Sequence, residues 1–346
     1  MKLVDMHCDT IYELLRETDA QTLFHNHLCV DMEGMRRART MVQFFACFVD
    51  AKEWVAEGER VLTEEVWERA YARVLEMLKR LGKEQSDELR QASSFRELEE
   101  NWQKNVISAV ATLEEGGVLN EKIERVDELY QKGVRLITLT WNYENCLAYP
   151  NSRNARVMQG KLKPFGLEVV RRMNELGMVV DVSHLSDGGF WDCVKHGKAP
   201  IVASHSNCRA LCDHPRNLTD EMLRALAEKG GVAGLNFYPA FLKALGKERK
   251  GKENGGKNKE TREDAISLCD IARHARHMID VAGEDVVAIG TDFDGFVAED
   301  VPGYISHVGE MESVWEAFVE EKITPRQIEK IQSQNALRVM KEVWRS

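Results

Sequence analysis

The residues best suited to chemistry in this 346-residue chain are imidazoles and carboxylates, and they recur where apolar runs end. His7 and Asp9 close the stretch LVDMHCDT (3–10). Alternate side chains of a strand share a face, so these two would point the same way. Glu114 and Glu115 stand in TLEEGG, His184 ends DVSH, His205 lies in ASHS, and Asp292 and Asp294 belong to IGTDFDG. Imidazole nitrogen combined with carboxylate oxygen suits Zn²⁺ or, less selectively, Mn²⁺, Fe²⁺ or Co²⁺. There are too many histidines for Ca²⁺ or Mg²⁺. Five protein ligands exceed what one open catalytic zinc takes. They suit two metals about 3.5–4 Å apart that share a carboxylate and a water. That water would be hydroxide at neutral pH, and a nearby carboxylate outside the ligand set would pass its proton to a leaving amine.

The chemistry requires those run ends to meet. Eight short apolar, β-rich runs occupy residues 2–9, 41–49, 106–117, 134–142, 177–184, 199–206, 230–238 and 285–295. Helical patterns fill the intervals, notably 63–82, 165–177, 218–231 and 324–344. The third of these begins at a Thr cap and stops at Gly-Gly, and the last opens with Thr-Pro. Near-continuous apolar strands alternating with helices indicate a parallel sheet covered on both faces. Eight of them predict an α/β fold, a (β/α)8 TIM-like barrel, with the metal site at the C-terminal ends of the strands. A doubly wound open sheet is the alternative, but no G-x-G-x-x-G follows any run. The whole chain, 1–346, reads as one barrel domain. GKERKGKENGGKNKET (246–261) is nearly free of apolar residues and reads as a mobile loop after the seventh strand.

Bulk composition removes several function classes. The net charge of −10 argues against a nucleic-acid surface and gives no polybasic membrane patch. No run approaches the roughly 20 apolar residues of a membrane span, and neither end reads as a secretory signal or a hydrophobic anchor. The eight cysteines are scattered without a C-x-x-C pair, as expected for reduced thiols in a cytoplasmic protein.

MHCD, TLEEGG, DVSH, ASHS, HPRN and IGTDFDG occur in an order that resembles the membrane (renal) dipeptidase family of zinc peptidases, in the amidohydrolase superfamily of barrels. The resemblance runs along essentially the whole chain. It implies that His7, Asp9 and Glu114 bind one Zn²⁺, that Glu114, His184 and His205 bind a second, and that Glu114 bridges. Glu114 is preferred to Glu115 because it directly follows the apolar strand. Arg216, in HPRN, corresponds to the arginine that takes the dipeptide carboxylate, and a guanidinium suits that bidentate task. Asp292 corresponds to the proton-shuttling acid, with Asp294 as runner-up.

Two positions depart from the mammalian members. Trp141, in TLTWN, replaces a histidine that contacts the reacting carbonyl, which leaves Asn142 as a group able to polarise it. Phe241, in NFYPAF, replaces a substrate-contacting tyrosine, with Tyr238 nearby but out of register. The expected function is a binuclear zinc dipeptidase in which metal-bound hydroxide attacks a small dipeptide, L,D-dipeptides included. The departures keep open a zinc-dependent amidohydrolase acting on a non-peptide amide, cyclic amide or ester. A non-catalytic metal- or ligand-binding protein is the third reading. By analogy with the family a homodimer is expected. His25, His27, His274 and His277 read as structural or surface groups, and His214 as a neighbour of Arg216.

Overall fold

The computed structural model describes residues 2–16, 21–55, 62–244, 266–296 and 304–344; the loop expected at 246–261 lies outside them. Among the described residues, nine parallel strands follow in order: β1 (Leu3–Asp5), β2 (Thr40–Phe48), β3 (Leu89–Gln91), β4 (Ile107–Glu114), β5 (Val134–Thr138), β6 (Val179–Asp181), β7 (Ile201–Ala203), β8 (Val232–Leu235) and β9 (Val287–Ile289). β1 pairs with both β2 and β9, β2 pairs with β4, and β4 to β9 pair in succession, which closes an eight-stranded barrel. The eight barrel strands fall in the eight apolar runs. The ninth, β3, was not expected. It pairs with Ile107–Ala109 at the start of β4, below the stretch that pairs with β5. Leu89 is its one buried residue, so it offers no apolar run to read.

Alternation sorts the strand side chains into two buried layers. Val4, Val42, Phe44, Val110, Leu136, Val179, Val202, Val232 and Ala288 form one cluster inside the barrel. Ala336, Val339, Met340 and Val343, from the helix Asn335–Val343, belong to the same cluster and seal one end of it. Phe45, Ala111, Ile137, Val180, Ala203 and Ile289 face outward and join the helices in the second cluster. Glu114 continues the inward series of Val110, so the register of β4 aims its carboxylate into the barrel mouth.

The helices arise from ordinary signals. Glu64–Lys83 starts where the Thr63 side chain accepts from Val66 N, and it buries Val66, Ala70, Val74, Met77 and Leu81 along one face. Pro164–Leu176 opens on proline and stops at Gly177, whose φ of 79° is the left-handed cap glycine accepts. The predicted 324–344 helix has a π-helical segment, Lys330–Gln334, inside it.

Candidate metal centre

His7 and Asp9 follow β1, Glu114 ends β4, His184 and His205 follow β6 and β7, and Asp292 follows β9. The barrel brings all six together. His7 Nε2 lies 3.3 Å from Glu114 Oε2 and 3.6 Å from both Asp9 Oδ2 and Asp292 Oδ1. On the other side, Glu114 Oε1 lies 3.1 Å from His184 Nε2 and 3.6 Å from His205 Nε2. One carboxylate therefore stands between two groups of donors. Backbone geometry sharpens the turns that place them: His184 (φ 65°) and Asp292 (φ 63°) are left-handed, a conformation non-glycine residues adopt at a cost.

The hydrogen bonds behind the ligands decide which ring nitrogens face the centre. Asn142 Oδ1 sits 3.0 Å from His184 Nδ1, so that nitrogen carries the proton. Ser204 Oγ sits 2.7 Å from His205 Nδ1. With both protons on Nδ1, both Nε2 atoms present lone pairs, and these face each other at 3.1 Å. Two lone pairs at that distance, beside a carboxylate, repel unless a cation lies among them. On the other side, buried His7 Nδ1, His7 Nε2 and Asp9 Oδ1 have no hydrogen-bond partner. Orphaned polar atoms in a buried cluster are costly without a ligand. The donor set and its orphans fit divalent transition metals.

The electrostatics agree. Burial drives the Asp9 acid up to about 7 and the Asp292 acid up to about 6. Burial also opposes charge on Glu114, but the neighbouring His7 outweighs it and holds that acid well below its usual value. Burial lowers His184 to about 4 and lowers His205 as well. Burial likewise opposes a proton on His7, yet Glu114 and Asp9 raise its affinity for one well above normal. Carboxylates that favour a positive charge at that point also favour a metal ion.

The remaining sequence candidates separate by what they touch. Glu115, at φ 89°, turns away from the histidines. Its oxygens accept from Gly117 N (2.7 Å), Asn145 Nδ2 (2.5 Å) and Trp141 N (3.0 Å), so it anchors the loop after β5. Asp294 accepts from Cys29 N at 2.7 Å and Thr10 Oγ1 at 2.6 Å, while Asp292 Oδ2 accepts from Asn236 Nδ2 at 2.8 Å. A cavity of about 280 Å³ opens over the centre, with Trp141, Asn142, Tyr238 and Phe241 in its wall. Trp141 meets Phe48 edge-on, ring centroids 4.9 Å apart. Arg216 is buried beside this wall, bonded through its guanidinium to Ser206 Oγ and His205 O, with its carbon 5.2 Å from the Phe241 ring. His214 accepts from Arg216 N, and His274 is a buried structural group bonded to Cys208 N and Leu242 O. Cys8 is buried in the outer layer with its thiol on Phe44 O, as its place between His7 and Asp9 implies.

Asp181, Ser204 and Asn236, which the sequence candidates did not include, bond around the site: Ser204 faces His205 Nδ1 and donates to Asp181, and Asn236 donates to Asp292. The signal was present in DVSH and ASHS, where a polar residue precedes each histidine.

Fold and site together define a parallel eight-stranded barrel whose mouth gathers histidines and carboxylates that could hold a metal ion. Known proteins share that architecture. The model of the membrane dipeptidase family (peptidase family M19) matches residues 1–345. An uncharacterized dipeptidase of Schizosaccharomyces pombe is 30% identical over 357 aligned positions, covering 99% of this chain and 80% of that protein. A Klebsiella pneumoniae protein, described by its position in the pqqA 5′ region, is 33% identical over 276 residues, which is 78% of this chain and 94% of that one. The structure of a metallo peptidase from Rhodobacter sphaeroides, liganded with a phosphinate mimic of the dipeptide L-Ala-D-Ala, superposes with a TM-score of 0.82 over 99% of both chains at 22% identity. The chain belongs to the membrane dipeptidase family, M19. It is a metal-dependent dipeptidase, a hydrolase. Among the described residues no helix is long and apolar enough to cross a membrane.

Proposed function

We propose that this dipeptidase works with two zinc ions, one held by His7, Asp9 and Glu114 and the other by Glu114, His184 and His205, and that its substrates include dipeptides with a C-terminal D-residue. The observation that carries the reading is the Glu114 carboxylate, with one oxygen 3.3 Å from His7 and the other 3.1 Å from His184. When bound, the ions supply an acidified water and positive charge for the scissile carbonyl.

The chain's own groups do the rest. Asp292 is part-buried and fixed by Asn236 beside the candidate ligands, where it takes a proton and returns it to the leaving amine. Arg216 supplies the cation for the substrate carboxylate. Asn142 holds His184, so its part in substrate binding is limited to its free amide hydrogens. Trp141 supplies an apolar wall. A cavity of about 280 Å³ is at the small end of ligand sites, which favours two residues over a longer peptide. The phosphinate mimic of L-Ala-D-Ala in the Rhodobacter sphaeroides protein supports the D-residue. The eight free cysteines support a cytoplasmic location.

Trp141 and Phe241 in the wall favour one competing substrate class, a non-peptide amide, cyclic amide or ester. The test is zinc-reloaded protein assayed on L,L- and L,D-dipeptides, a lactam and an ester, beside His184→Ala. The proposal predicts zinc-dependent dipeptide hydrolysis that the variant loses. Turnover of the lactam or ester alone, or equal hydrolysis by the variant, refutes it.

A further inference from the structure

We propose that Ser204, seated on Asp181, is a positioning residue that sets the tautomer and ring plane of His205, so that the metal position of His184 and His205 depends on it while that of His7 and Asp9 does not. This rests on the two-metal reading. Asp181 is fully buried and accepts four hydrogen bonds. Its Oδ1 takes Ser183 N at 3.0 Å and Ser204 N at 2.9 Å, and its Oδ2 takes Thr138 Oγ1 and Ser204 Oγ, both at 2.6 Å. A serine hydroxyl has one proton, and Ser204 spends it on Asp181. Only lone pairs remain to face His205 Nδ1, 2.7 Å away. That nitrogen must donate, which leaves Nε2 as a lone pair directed at His184 Nε2 and Glu114 Oε1.

The arrangement has no substitute. His205 is fully buried, and Ser204 Oγ is the side-chain partner of its Nδ1 among the described residues. The Asp181 bonds to Ser183 N and to Ser204 join the ends of β6 and β7, so the ring is referenced to two adjacent barrel strands rather than to a loop. A hydrogen-bonded outer partner both orients a ligand histidine and raises its basicity. His7 differs: neither of its ring nitrogens has a hydrogen-bond partner, so no bond from Ser204 or Asp181 sets its tautomer, and its ring only stacks on His205 with centroids 3.8 Å apart.

Thr138 provides the control. It gives Asp181 an equally short, buried hydrogen bond but does not touch His205. The experiment strips the full-length protein, titrates Co²⁺ by calorimetry with the visible spectrum recorded, and compares wild type, Ser204→Ala, Thr138→Val and His184→Ala. Melting of the metal-free forms shows whether each variant folds, and Ser204→Cys is measured if Ser204→Ala does not. The proposal predicts two ions per wild-type chain. Ser204→Ala then weakens by about 10–100-fold only the step that His184→Ala abolishes, with a changed spectrum, and Thr138→Val leaves both steps as in wild type. Unchanged binding in Ser204→Ala, or equal losses in Ser204→Ala and Thr138→Val, overturns it. Fewer than two ions in the wild type overturns the two-metal reading instead.

Discussion

Asp292→Asn removes one negative charge and the proton-carrying oxygen while preserving size and shape. Asp292 Oδ2 accepts from Asn236 Nδ2 at 2.8 Å, and an asparagine can keep that bond by turning its carbonyl to Asn236. Its amide nitrogen then occupies the place of Oδ1, 3.6 Å from His7 Nε2. The backbone there is left-handed at φ 63°, which asparagine tolerates well. The fold and the ligand set therefore survive, and the loss falls on proton transfer. A positioned acid–base group contributes about 10²–10⁴-fold, or about 3–5 kcal/mol of activation free energy. The assay is initial-rate hydrolysis of a dipeptide at several substrate concentrations, with metal per chain measured on the same samples. The prediction is a kcat reduced by that factor, a KM little changed, and full metal content. Asp294→Asn is the matched comparison: it sets an amide against Cys29 N or Thr10 Oγ1 and costs stability, about 1–3 kcal/mol, rather than rate. A fully metallated Asp292→Asn enzyme with kcat within about tenfold of wild type would refute the assignment.

Glu114→Gln is expected to lose bound metal, whereas Glu115→Gln keeps it and is destabilised by about 1–3 kcal/mol, because an amide nitrogen must face one of the three donors Glu115 now satisfies; metal analysis with urea titration separates the two. Chelation should lower the melting temperature, since an ion present at 100 times its Kd adds about 2.7 kcal/mol to the folded state; calorimetry with EDTA and with added zinc checks this, and equal melting temperatures would count against a preformed centre. Glu68, bonded to Lys122, Asn120 and Arg125, has its acid lowered to about 2, mainly by the Lys122 bond. Its folded value is depressed, so the stabilisation is full above the unfolded value and fades as pH falls toward about 2. Its side chain is 40% exposed, so screening limits the effect to about 1 kcal/mol. Urea midpoints of Glu68→Gln and wild type should differ at neutral pH and converge in acid.

The barrel was legible because its strands are buried on both faces and read as apolar runs, as MVQFFACFV does. The candidate ligands were legible because each run ends where the chain turns into the mouth. Strand length was not. The run 285–295 contributes only Val287–Ile289 to the ladder; beyond it, a single bridge from Phe293 to Cys8 continues the pairing while Asp292 and Asp294 turn toward the site. The choice between Glu114 and Glu115 rests on a left-handed turn at Glu115, a backbone property that the pair EE does not display. Asp292 and Asp294 are both left-handed and differ only in their partners, which come from Asn236 in one case and from Thr10 and Cys29 in the other. Asp181 and Ser204 escaped notice because the bond between them forms only once neighbouring strands pair in the barrel.

Anomalous diffraction at the zinc edge from zinc-loaded crystals tests the central claim most directly. The account predicts two peaks flanking the Glu114 carboxylate, one beside His7 and Asp9 and one beside His184 and His205. A single peak, or zinc bound away from Glu114, would contradict it.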